Sequence, residues 1–193
     1  MKKIAQTPSQ TVGPFFAYCL TAEQYGYDFN SIVNDNLTDD DTPGQRIQIV
    51  GQVLDGEGNP ISDAMIELWQ ADPQGNYRTL PIRHKNDGFT GFGRLGTGTT
   101  PDFSFTFKTL KPGAIQGQAP HINVILFMRG SLHRLNTRIY FSDEDNTHDP
   151  LLNELDATRR NTLIAQRSDK NGNIFYRFDI RMQGDRETVF FGL

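Results

Sequence analysis

The chain has 193 residues, with 36% hydrophobic and 11% aromatic content, fourteen of its residues being Phe. That length is enough for a core of useful size, and the aromatics compensate for the modest aliphatic content because each buries a large area. A formal charge of −4 argues against nucleic acid as a partner. A lone cysteine, Cys19, excludes an internal disulfide and fits a reducing cytoplasm. No apolar run reaches the length of a membrane span, and the opening MKKIAQTPSQ has no apolar core of the kind a secretory signal needs.

Residues 1–18 carry two Pro, a Gly and several hydroxyls ahead of Phe15, Phe16 and Tyr18. This composition argues against a helix and predicts an extended arm whose aromatics dock on a partner. Residues 20–44 read as loop, and their acidic run NDNLTDDDTPG reads as a solvated face, since the Gly and Glu positions of a calcium loop are missing. From Arg46 the period is two. Ile47, Ile49, Gly51 and Val53 alternate with Gln48, Val50 and Gln52, DGEGNPI turns the chain, and a second strand runs from Ala64 to Gln70. Residues 76–101 read as one long Gly-rich loop. His84 in that loop sits between Arg83 and Lys85, a poor setting for a metal cation.

Phe103, Phe105 and Phe107 predict a half-buried strand, KPG a turn, and His121–Met128 a central strand. A further strand is expected at Thr137–Phe141. Asp149-Pro150 has the form of a helix start and predicts a short helix over 150–156. Strands are expected at 162–166 and 174–182, and the ETVFFGL tail is apolar enough to pair at a sheet edge. The sum is an all-β fold, an antiparallel β-sandwich with long loops and one short helix, in a single domain spanning 1–193.

Chemistry concentrates in TLKPGAIQGQAPHINVILFMRG, residues 109–130. His121 and Asn123 lie two apart on a predicted strand and so point to one side. A His-x-His pair there would be half a metal site, whereas a neutral amide is a weak ligand for a transition metal. There is no Gly-x-Ser-x-Gly elbow for a serine nucleophile and no zinc-type ligand spacing. GQVLDGEGNPISDAMIELW also suits a small transthyretin-like binding module, an alternative that needs no catalysis.

Taken together, TPSQTVGPFF, GQVLDGEGNPISDAMIELWQADPQGNY, TLKPG, APHINVILFMRG, TRIYFSDE and YRFDIRMQGDRETVFF resemble the intradiol ring-cleaving dioxygenases over nearly the whole chain. More narrowly they resemble the alpha subunits of two-subunit enzymes that open a dihydroxybenzoate ring with O₂. The resemblance implies a ferric iron held by two tyrosinates and two histidines. Here Gly88 and Phe89 follow RHKND where one Tyr is expected, Ala114 and Ile115 stand where the other falls, and Asn123 replaces a His. Only His121 matches a ligand, and Gln118 stands where the family has an Arg beside the His pair. The implication is no catalytic or metal-binding residue in this chain, with Fe(3+) bound by a homologous beta subunit. The same resemblance implies that Thr11, Gly13, Pro14, Phe15 and Arg129 line the substrate cavity, with His133, Arg134 and Arg138 close to Arg129 in sequence.

Overall fold

The computed structural model describes residues 11, 13, 15–79 and 88–192. Nine strands dominate it: β1 Arg46–Leu54, β2 Met65–Gln70, β3 Phe92–Gly96, β4 Ser104–Leu110, β5 His121–Phe127, β6 Leu135–Phe141, β7 Ile164–Lys170, β8 Asn173–Arg177 and β9 Ile180–Arg181. Around them lie three short helices, α1 Phe15–Leu20, α2 Pro150–Asn153 and α3 Ala157–Asn161, and a 3-10 turn at Ala22–Tyr25. The strands follow one another in space as β3-β2-β5-β6-β7-β8-β1-β4, with β9 beside β1.

The fold is mostly β, but the pairing is mixed rather than antiparallel. β1 runs parallel to β8 and β9, and β6 runs parallel to β7. Long connections permit this: the chain passes through α2 and α3 between β6 and β7, so the two strands meet in the same direction. One hydrophobic cluster draws on both halves of the strand order. It includes Ile66 and Leu68 of β2, Ile122, Val124 and Leu126 of β5, Ile47 and Ile49 of β1, and Phe105 and Phe107 of β4.

Gly51 is what lets the last strands close on β1. A Cβ there would run into the Phe178 carbonyl oxygen and the Phe105 ring. At this point β1 leaves β8 and takes up β9, while Asp179 Oδ1 accepts the Gln52 N–H at 3.1 Å in place of a strand carbonyl. The expected single strand at 174–182 is therefore two.

Three other expectations are corrected. A helix, α1, occupies the end of the segment expected to be extended. Its Ala17 is buried, Phe16 stacks on Phe127 at 5.2 Å, and Thr21 Oγ1 donates to Ala17 O at 2.7 Å. The expected single helix at 150–156 is two short helices, each with its own Asp cap, Asp149 and Asp156. The long loop of 76–101 contains β3, paired with β2 through Met65↔Gly96 to Trp69↔Phe92. The tail does pair, through an isolated bridge between Phe191 and Asn136.

Candidate functional site

β5 lies between β2 and β6, and its even-numbered residues enter the core. The opposite face carries His121, Asn123, Ile125 and Phe127. The register sets Asn123 between Trp69 of β2 and Arg138 of β6, and His121 beside Tyr140. Polar residues on three adjacent strands are thereby brought to one point, next to the 112–120 loop.

They are joined without a gap. Asn123 Nδ2 donates to the Tyr77 hydroxyl at 2.7 Å, and its Oδ1 accepts from Arg138 Nε at 3.0 Å. A second guanidinium nitrogen of Arg138 donates to Gln118 Oε1 at 2.8 Å and to the Tyr140 hydroxyl at 3.3 Å. Tyr140 donates to Asp149 Oδ1 at 3.1 Å. Asp149 is buried and also accepts the Ala119, Leu151 and Leu152 N–H groups, so one carboxylate caps α2, fixes the loop and ends the chain of hydrogen bonds.

His121 is buried, and Ala119 O lies 2.8 Å from its Nδ1. A carbonyl can only accept, so Nδ1 carries the proton. Burial pushes the imidazolium form down most; the Ala119 bond opposes this, and the neighbouring Arg138 charge adds to it. Burial likewise pushes the Tyr140 phenol up to about 12, against the pull of Arg138. Both groups are neutral near pH 7.

This donor set does not fit the iron implied by the family. Among the described residues no group of three or more His, Cys, Asp or Glu converges. The Asn123 amide is engaged on both sides, and the cation at the centre is the Arg138 guanidinium. A second positive charge would meet repulsion and one neutral imidazole. Ile115 is half-buried in a turn closed by Gln118 N–H to Ile115 O at 2.7 Å. His84 and the rest of RHKND lie outside the described residues.

Of the residues expected to line a substrate cavity, Thr11 and Arg129 come together outside this network. The Gly130 N–H donates to Thr11 Oγ1 at 2.7 Å, which sets the start of the described chain beside Arg129. Phe15 is 74% exposed and the Arg129 side chain 65% exposed, with Arg129 Nε 3.0 Å from Asp63 Oδ2. Gly13 is exposed, with open space around its Cα. Pro14 lies outside the described residues. Of the cations near Arg129 in sequence, Arg138 is held in the inner network, while His133 and Arg134 are exposed, with no ion pair among the described residues. Sequence singles out neither Tyr77 nor Tyr140, and Asp149 only as a helix cap. The one signal available was the polar pair Arg138 and Tyr140, spaced like His121 and Asn123 on the neighbouring strand.

A family model described as a dioxygenase matches residues 24–184. The protocatechuate 3,4-dioxygenase alpha chain of Burkholderia cepacia is 49% identical, with 99% of each chain covered. The chain belongs to the intradiol dioxygenase family. The beta chain of the same enzyme from Burkholderia cepacia is 32% identical over 75% of this chain and 67% of its own length. Among solved structures, the dioxygenase domain of a carbohydrate-binding fusion from Streptomyces sp. SirexAA-E superposes with a TM-score of 0.61 at 24% identity, covering 96% of this chain and all of that one. That likeness bears on the fold alone.

Proposed function

We propose that this chain is the iron-free alpha subunit of a heteromeric protocatechuate 3,4-dioxygenase, folded as a β-sandwich in one domain. A homologous beta subunit holds the ferric iron, at which 3,4-dihydroxybenzoate is opened by O₂ between its hydroxyls to 3-carboxy-cis,cis-muconate. One observation supports the reading: in a chain 49% identical to an alpha chain, Asn123, at the second position of the expected His-x-His pair, is tied to the Arg138 guanidinium.

The chain's own part is to bind and orient. Arg129 offers two guanidinium nitrogens beyond the one paired with Asp63, a fork suited to the substrate carboxylate. Thr11, Gly13 and Phe15 form the adjoining wall, and Phe15 covers the ring. Orientation by a second subunit can contribute large rate effects. The exposed aromatics Phe15, Tyr18, Tyr27 and Phe29 are the surface the N-terminal segment presents to beta. The assembly is cytoplasmic and part of aromatic catabolism; among the described residues no helix is long and apolar enough to cross a membrane.

The test is iron content and visible absorbance of the chain purified alone and co-expressed with its beta homologue. A colourless, iron-free chain that enters a coloured, active complex is expected. Stoichiometric iron in the chain alone would overturn the proposal.

A further inference from the structure

At the end of the molecule formed by α3, β9 and the tail, a cavity of about 370 Å³ opens to solvent. Its volume lies in the range of small-molecule sites. Three of its lining side chains are Arg177, Arg181 and Arg186, and the only acidic one is Asp179. In a chain of formal charge −4, this is a concentrated positive surface.

The three arginines are not equivalent. Arg177 is neutralised, with a guanidinium nitrogen 2.8 Å from Asp179 Oδ1 and 3.2 Å from Gln52 Oε1. Arg181 and Arg186 have no side-chain hydrogen bond or ion pair among the described residues. Arg181 is half-buried in β9, and its main chain is fixed on both sides by Thr188: its N–H donates to Thr188 Oγ1, and its carbonyl accepts from Thr188 N–H, each at 2.9 Å. Its main chain is anchored, while its charged head has no ion-pair partner among the described residues. A guanidinium drawn partly out of water is costly unless an anion meets it. The floor beneath is apolar, with the buried Phe178 ring and half-buried Ile164.

We propose that this cavity binds a short organic dicarboxylate, one carboxylate on each of Arg181 and Arg186 and the carbon chain on Phe178 and Ile164. Two free forks match two carboxylates, and the apolar floor favours a hydrocarbon body over an inorganic anion. The cavity shares no lining residue with the Arg138 network or the Arg129 corner, although its Ile164 pairs with Tyr140, and it does not depend on the iron-free reading.

Calorimetric titration of the full chain in its native assembly tests this, with adipate as the probe and inorganic phosphate and sodium chloride at matched ionic strength as controls. Saturable adipate binding at one per chain is expected, weakened at least tenfold by Arg181→Gln and by Arg186→Gln. Arg186 is exposed and makes no contact that holds the fold, so Arg186→Gln keeps its thermal melt and remains informative if Arg181→Gln is unstable. The proposal is overturned by the absence of saturable binding, by phosphate binding as tightly as adipate, or by affinity that Arg186→Gln leaves unchanged.

Discussion

Replacing Arg138 by Met keeps the stem and deletes the charge. Three acceptors then lose their donor: Asn123 Oδ1, Gln118 Oε1 and the Tyr140 hydroxyl. Hydrogen bonds to a charged group contribute about 1.5–3 kcal/mol each when buried. Here Asn123, Gln118 and Arg138 are only half-buried, so water reclaims part of that, and the net loss is placed at about 3 kcal/mol. At roughly 2–4 °C per kcal/mol for a domain of this size, the melting temperature falls by about 6–12 °C. Arg138→Lys keeps the charge without the fork and falls between the two. Differential scanning fluorimetry on the co-purified assembly reads both variants. If the Met variant melts within about 2 °C of the parent, the guanidinium is not the tie that joins β5, β6 and the 112–120 loop.

Gly51→Ala places a methyl on the Phe178 carbonyl and the Phe105 ring. Backbone overlap in a packed core costs about 3 kcal/mol or more, and loss of soluble yield or a melting drop of about 6 °C or more is expected. A variant that melts like the parent would refute the close approach of β1 to the last strands. Acid stability has a defined limb. Burial acts to raise the Asp143 carboxyl, but hydrogen bonds from Lys111, Arg167 and Tyr176 outweigh it and hold it at about 2, below the usual 3.8. The folded pKa is depressed, so this contribution is complete above the unfolded value and is lost as pH falls from about 4 towards 2. Urea midpoints measured across that window should fall less steeply in Asp143→Asn than in the parent. Finally, Arg129→Ala in the active complex is expected to raise KM for the carboxylate-bearing substrate about tenfold or more, the loss of one charged fork. Iron content should be unchanged; loss of iron would contradict the orienting role.

The sequence was most readable where one face of a strand is buried. Ile47, Ile49 and Val53, or Phe105 and Phe107, announce themselves by alternation. Phe103 continues that pattern in letters but not in space, since its φ of 55° puts it in a turn. β3 was invisible because FGRLG has two glycines in five residues. It is a strand because its pairing with β2 is reinforced by Arg94 and Glu67, 2.6 Å apart, and Gly93 is required where Leu37 crosses over it. α1 was missed because the turn-forming residues before Phe15 were allowed to speak for the hexapeptide after them. At the candidate site, the resemblance implied that ligands are missing but gave no sign of the Arg138 network that surrounds Asn123. Arg138 is fifteen residues or more from every partner except Tyr140, and only strand register brings them together.

The loop that precedes His121 is fastened at both ends by ionic groups outside the metal-ligand positions. At one end Lys111 lies 2.9 Å from Asp143 and 2.6 Å from Glu144, over the Phe141 and Tyr176 rings. At the other, Asp149 accepts the Ala119 N–H. Anchorage of this kind separates architectural from chemical duty. Between these anchors Ala114 and Gln116 are exposed, whereas Gly113 and Gln118 are tied to Asp72 and Arg138. A frame fastened this way needs no bound metal to hold its loop against the sheet.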